Sequence, residues 1–208
     1  MIELLTANTP NGKKISIMLE EIKFKYKITK VNINKDEQFK PEFKKLSPFS
    51  KIPVIIDHEK NISLFESGAI LIYLGEKSGK FYPIDQRTIV NQWLMGQMAY
   101  VGPMLGQHHQ FHHYNPGKSE FGENRYFKIS ERIYKELDER LSSENYLAGQ
   151  EYTIADIATF PWIARHDWHD IGLKKFKSLS RWYKEISTRE AVIKGYDLLN
   201  KGEIIPKP

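Results

Sequence analysis

The chain has 208 residues, 31 Lys and Arg against 26 Asp and Glu for a formal charge of +5, 40% hydrophobic residues and no cysteine. This is the composition of a folded globular chain, long enough for one large domain or two small ones and inconsistent with a disordered tail. Without cysteine there can be no disulfide staple, thiolate metal site, C-x-x-C centre or cysteine nucleophile, so any sulfur chemistry must use a substrate's sulfur. The lysines are spread along the chain with no clustered basic run, which predicts no nucleic-acid partner. No stretch approaches the ~18 consecutive apolar residues of a membrane span, and Met1-Ile2-Glu3-Leu4-Leu5 lacks the pattern of a signal peptide. No membrane partner and a cytoplasmic location are therefore expected.

The first third alternates strand and helix signals. Ile2 to Leu5 reads as a short strand, and the turn-like Thr9-Pro10-Asn11-Gly12 leads into Ile15, Met18, Leu19 and Ile22, spaced as one face of a helix with Asn11 as the expected N-cap. A second strand is expected over 28–33 and a short helix over 41–46, ended before Pro48. Pro53 to Ile56 and Ile62 to Phe65, separated by a polar stretch, read as an antiparallel hairpin, after which Glu66-Ser67-Gly68 opens an apolar helix. The order βαβ, helix, ββα makes an α/β unit with a small mixed sheet, assigned to residues 1–78.

Glycine, proline and polar residues over 79–86 mark a linker, and beyond it the strand signals stop, so 87–208 is read as an all-helical domain. The aromatic and Met-rich segment 87–113 contains Gly102-Pro103, expected to kink or restart its helix. Tyr126, Ile129, Ile133, Leu137 and Leu141 mark an amphipathic helix, and Thr153 with Asp156 is a variant capping box.

Three segments carry a resemblance: Lys51-Ile52-Pro53, Phe65-Glu66-Ser67-Gly68-Ala69-Ile70, and Thr153-Ile154-Ala155-Asp156-Ile157-Ala158. In these the chain resembles the glutathione transferase superfamily, which implies a thioredoxin-like N-terminal domain with a cis peptide before Pro53 and a helical C-terminal domain. Residues Thr9 to Ile15, Gln38 to Phe43, Ser47-Pro48 and Gly102-Pro103-Met104-Leu105-Gly106-Gln107, in that order, look more narrowly like the nu-class transferases, or disulfide-bond oxidoreductases.

Taken alone, Thr9 to Gly12 reads as a turn and helix cap. A helix amino terminus also gathers unpaired amides and partial positive charge that stabilise a thiolate, and the resemblance implies that Thr9, through its hydroxyl, and Asn11, through its amides, do this for glutathione. Glu66 and Ser67 are polar residues of a first helical turn. As a pair they also suit a zwitterion, Glu66 facing an α-ammonium and Ser67 with nearby amides receiving the α-carboxylate of the γ-glutamyl end. The resemblance implies that the Ile52 backbone pairs with the cysteinyl part, with Lys51 and Gln38 meeting the glycyl carboxylate and nearby peptide groups. It also implies that Arg125, otherwise an exposed helix-face charge, reaches glutathione across a homodimer.

His108 with His112, and His109 with His113, have the i, i+4 spacing of a metal pair, but no acid or thiolate completes either, so no metal is expected. His108 and His112 are read instead as a polar wall of a second-substrate pocket, with Tyr100, Met104 and Phe111 as apolar lining. The expected function is a glutathione-dependent disulfide reductase, with glutathione, reduced or oxidised, as cosubstrate and small disulfides or electrophiles as partners. Glutathione conjugation or peroxide reduction by the same thiolate, and a non-catalytic glutathione-binding regulatory module, stand as alternatives.

Overall fold

The computed structural model describes residues 1–208. They divide into two compact units, Met1–Tyr82 with Arg189–Ile204, and Pro83–Thr188 with Ile205–Pro208. Residues 189–204, read from the sequence as part of the helical domain, thus group with the first unit. No helix is long and apolar enough to cross a membrane.

In the first unit, β1 (Ile2–Thr6), α1 (Pro10–Ile22) and β2 (Tyr26–Lys30) form a parallel βαβ crossover. Two short 3-10 turns and α2 (Pro41–Leu46) lead to β3 (Val54–Asp57) and β4 (Ile62–Phe65), and α3 (Ser67–Ser78) follows. The sheet order is β2-β1-β3-β4, with β1 antiparallel to β3 and β3 antiparallel to β4. The second strand ends at Lys30, short of the expected Ile33. The Val31 N–H still donates to the Thr6 carbonyl at 2.8 Å, but Asn32 then accepts from the Asn34 N–H at 3.2 Å and curls the chain into a 3-10 turn.

Register decides where the loops converge. Leu5 lies opposite Val54, Val54 opposite Phe65, and Thr6 beside Lys30. The carboxyl ends of β1, β2 and β4 and the amino end of β3 therefore share one end of the sheet. The segments leaving or entering there carry Thr9, Gln38, Ile52 and Glu66.

The second unit contains α4 (Arg87–Gly96), α5 (Gly102–His108), α6 (Glu120–Ser143), α7 (Ile154–Ile163) and α8 (Lys177–Ser187). The chain stays helical between α4 and α5 through a wider π turn, Gln97–Val101, and a second one, His109–Tyr114, follows α5. Pro103 occupies the first turn of α5, where its missing N–H costs least, so of the expected kink or restart the helix shows the restart.

Every residue of α7 is buried. Its amino end carries the expected capping box, Thr153 accepting from the Ala155 N–H and Asp156 from the Thr153 N–H at 3.0 Å. Asp156 does more than cap. Its carboxylate also accepts from the Leu147 N–H at 2.9 Å and the Trp182 indole N–H at 2.8 Å, tying the preceding loop and α8 to one fully buried group.

The last helix of the first unit, α9 (Glu190–Asp197), lies against α1. The approach is close: a Cβ on Gly195 would sit 2.5 Å from the Ile17 Cα, so only glycine fits. The Ser16 hydroxyl donates to the Gly195 carbonyl at 2.6 Å, and Arg189 grips Glu21 through two bonds of 2.6 and 2.9 Å. Buried Lys13 donates to the Tyr196 carbonyl at 2.6 Å, lies 3.6 Å from that ring's centroid and pairs with Glu203 at 3.1 Å. Residues that look polar on a helical wheel are thus spent on α9.

Truncating Asp156 strands three N–H donors in an apolar interior. Asp156→Ala is expected to cost about 3 kcal/mol or more, and Asp156→Asn less, because its amide oxygen keeps one acceptor. All four tryptophans lie in the second unit, so the urea midpoint followed by their fluorescence reads this loss directly.

Candidate functional site

At the amino end of α1 the N-cap is Thr9, in place of the expected Asn11. Thr9 is extended, at φ −135° and ψ 161°, and its Oγ1 accepts from the Gly12 N–H at 3.1 Å. Pro10 takes the first helical position, where its fixed φ suits the helix, so the cap moves one residue ahead of it. Asn11 is half-buried in the first turn. Gly12 is required by space: a Cβ there would meet the Ala7 carbonyl at 2.3 Å and Thr6 Oγ1 at 2.5 Å. That first turn contains no acid, so the partial positive charge of its amides is not offset by a carboxylate of the same turn.

The amino end of α3 lies at the same end of the sheet. Glu66 precedes it at φ 68° and ψ 115°, a strained conformation for a residue with a Cβ, and its exposed carboxylate makes no cap bond. Ser67 is buried, and its Oγ accepts from Lys14 Nζ at 3.3 Å. Burial pushes the Lys14 amine well below the ordinary lysine value, with the Glu66 carboxylate pulling the other way. Lys14 is the residue the sequence reading passed over. Its signal was its place one turn before Met18 on the apolar stripe of α1, where a lysine is out of pattern.

The remaining first-unit candidates flank these ends. Gln38 lies in the second 3-10 turn, and its Nε2 donates to the Ile33 carbonyl at 3.4 Å. The peptide between Ile52 and Pro53 is cis. The Ile52 side chain packs on the cluster of Val31, Phe43 and Val54. Lys51 is exposed, while its backbone is braced on both sides by the Ser47 hydroxyl, at 3.1 and 2.8 Å.

In the second unit, Tyr100, Met104 and Arg125 line one open groove of about 740 Å³ between the π turn and α5 on one side and α6 on the other. Exposed Phe121 and the cations Lys128 and Arg132 line it too. His108 and Phe111 lie elsewhere. His108 is fully buried, its ring 4.8 Å from His112 and 5.5 Å from His169, and Phe111 stacks on Tyr126 at 5.2 Å. His112 is half-buried and faces Asp170 at 3.4 Å. The expected histidine wall is therefore, at His108, part of a packed ring cluster, in which His109 stacks on His169 at 4.7 Å and the Tyr134 hydroxyl bonds His169 Nδ1 at 2.7 Å. Sequence spacing could pair the histidines of 108–113 but could not show that His169 and Tyr134 would join them.

Burial pushes His108, His109, His166 and His169 below the usual histidine pKa, His109 to about 3, with neighbouring imidazoles and Arg165 adding to the effect at His109. Their neutral forms are favoured by the fold, whereas unfolded histidine binds a proton near pH ~6.5. The associated stability is fully present above that pH and is lost as pH falls toward the folded values, at up to about 1.4 kcal/mol per histidine per pH unit. The urea midpoint is expected to drop between pH 7.5 and 5.5, and His109→Phe to flatten the drop.

A thioredoxin-like α/β unit joined to an all-helical one is the glutathione transferase fold. The comparisons with known proteins agree. Residues 2–76 match the family described as Glutathione S-transferase, N-terminal domain, and residues 109–190 the C-terminal domain of the same family. The chain is 42% identical to disulfide-bond oxidoreductase YfcG of Escherichia coli over 92% of each chain. Among solved structures, a Burkholderia graminis glutathione transferase with two glutathione molecules bound per subunit superimposes with TM-score 0.90 at 37% identity, covering 97% of this chain and 89% of that one. A Pseudomonas putida glutathione transferase with one glutathione disulfide per subunit gives TM-score 0.88 at 39% identity, covering 97% and 92%. The chain belongs to the glutathione S-transferase family.

Proposed function

We propose that the protein is a homodimeric, nu-type glutathione transferase that acts mainly as a glutathione-dependent disulfide reductase. The observation that carries this reading is the pair of helix amino ends, α1 at Thr9–Gly12 and α3 at Glu66–Ser67, brought to one end of the sheet in a chain without cysteine. Such a site suits a thiol peptide that brings its own sulfur. A free thiol has a pKa near about 8.5, so modest stabilisation by amides and the Thr9 hydroxyl raises its thiolate fraction at neutral pH.

In the proposed reaction the bound glutathione thiolate attacks one sulfur of a disulfide. A glutathione–substrate disulfide bond forms, the substrate S–S bond breaks, and the second substrate sulfur leaves as a thiolate that takes up a proton. A second glutathione thiolate attacks the glutathione sulfur of the mixed disulfide, giving glutathione disulfide and releasing the remaining substrate thiol. The protein contributes orientation and electrostatics. Glu66 would face the α-ammonium, Ser67 the α-carboxylate, the Ile52 backbone the cysteinyl part, and Gln38 and Lys51 the glycyl end. Arg125 would serve the partner's glutathione across the dimer, with Tyr100 and Met104 lining the second-substrate side. The names of the similar proteins, an oxidoreductase of disulfide bonds and transferases holding glutathione or its disulfide, support this choice.

Reduction of a small soluble disulfide by glutathione tests the reading. Thr9→Ala and Asn11→Ala are each expected to lower kcat/KM about tenfold or more, and Glu66→Gln to raise the glutathione KM with a smaller change in kcat. Full activity in both the Thr9 and Asn11 variants would overturn the site. Light scattering on the gel-filtration peak is expected to give twice the chain mass.

A further inference from the structure

After α9 the chain turns back on itself. Asp197, the last residue of that helix, accepts through its carboxylate from the Gly202 N–H and from the Glu203 N–H at 3.1 Å, and the Glu203 N–H also donates to the Asn200 carbonyl at 3.0 Å. Gly202 takes the left-handed conformation at φ 89° that closes this loop. The loop lies against the start of α1. Buried Leu199 packs at Gly12, its Cδ1 3.2 Å from where a Cβ there would stand. Glu203 reaches further, and a single carboxylate oxygen, Oε2, takes two partners: the Asn8 side-chain amide donates to it at 2.8 Å, and Lys13 Nζ lies 3.1 Å from it.

These two partners bracket the proposed thiolate site. Asn8 precedes Thr9 in a tight turn in which the Thr9 N–H donates to the Ala7 carbonyl at 2.8 Å, and Lys13 closes the first turn of α1, its N–H donating to the Thr9 carbonyl at 2.9 Å. Resting on the glutathione reading above, we infer that Glu203 is a positioning residue: through Asn8 and Lys13 it clamps the turn to the helix and so fixes where the Thr9 hydroxyl stands. That hydroxyl accepts from the Gly12 N–H and has its own proton to offer a bound thiolate, along a direction set by the Asn8–Thr9 backbone. Such placement is sensitive, since a displacement of about 1 Å can cost about a hundredfold in rate. The Asn8 bond itself is exposed and adds little to the stability of the fold, so its loss separates positioning from folding.

The test follows the thiol of bound glutathione. Its pKa is read from the thiolate's ultraviolet absorbance across a pH titration of the complex, beside kcat/KM for a small soluble disulfide and the urea midpoint. Asn8→Ala is expected to raise that pKa by about 0.5 to 1 and to lower kcat/KM about three- to tenfold, with the urea midpoint unchanged. Two further variants show through which residue the effect passes. In the Thr9→Ala protein, adding Asn8→Ala is expected to change neither quantity further, whereas a general loosening of the fold would lower activity again. Exchanging the partners, Asn8→Asp with Glu203→Gln, keeps the charge of the pair and again sets a donor against an acceptor; kcat/KM is expected to return to within about twofold of the wild type. Wild-type pKa and kcat/KM in Asn8→Ala, an additive loss in the Thr9→Ala background, or no recovery in the exchanged pair would overturn the inference while leaving the glutathione site standing. Should the exchanged pair not fold because Lys13 loses the Glu203 charge, the Asn8→Ala and Thr9→Ala comparison decides alone. A wild-type complex whose thiol keeps the pKa of free glutathione, or a Thr9→Ala protein with full activity, would instead overturn the proposed site itself.

Discussion

The register of the small mixed sheet is the constraint on which the proposed site depends. With Leu5 opposite Val54 and Val54 opposite Phe65, the end of β1, the start of β3 and the end of β4 are locked side by side. A slip of one residue would turn Leu4 and Ile55 from the core face to the other, so burial of those side chains holds the alignment. Because the loops at that end carry Thr9, Ile52 and Glu66, the same burial that stabilises the sheet places two helix amino termini beside an extended backbone segment. The geometry of the proposed site is thus set by packing several residues away.

The absence of cysteine gives this arrangement its sense. A chain with no thiol cannot exchange disulfides by itself, but it can present helix-end amides, a hydroxyl and a carboxylate to a peptide that has one. The helix ends contribute without any reorganisation, since their amides are fixed by the helices behind them. Charge around them is asymmetric. The first turn of α1 holds Lys13 and no acid, Lys14 follows it, and the two lysines are engaged by different elements: Lys13 by Glu203 and Tyr196, Lys14 by Ser67 at the head of α3.

The helical unit follows a different logic, with polar groups buried in clusters of hydrogen bonds and stacked rings. Asp156 gathers a loop, a helix end and the Trp182 indole, and the histidines from 108 to 169 stack on one another and on aromatic rings. Neutral imidazoles pack as flat aromatic rings, and this packing fails once they are protonated. The pH sensitivity expected of this unit therefore arises from its core.

Sequence alone determined the order of elements, the hairpin, the capping box at Thr153 and the motifs that mark the family, because each is a local pattern of period, turn chemistry or short-range hydrogen bonding. It also marked Thr9, Asn11, Glu66 and Ser67, which sit at helix starts that local signals reveal. Tertiary structure decided the rest. Pro10 moved the cap from Asn11 to Thr9; Lys13, Ser16 and Glu21 became buried when α9 covered their face of α1; His108 became core through His169, some sixty residues away. Lys14 lies on the apolar stripe in sequence, but its partner Ser67 is brought to it only by the packing of α3 on α1. Partners distant in sequence leave no periodic trace in it, and only the closed packing of the chain can reveal them.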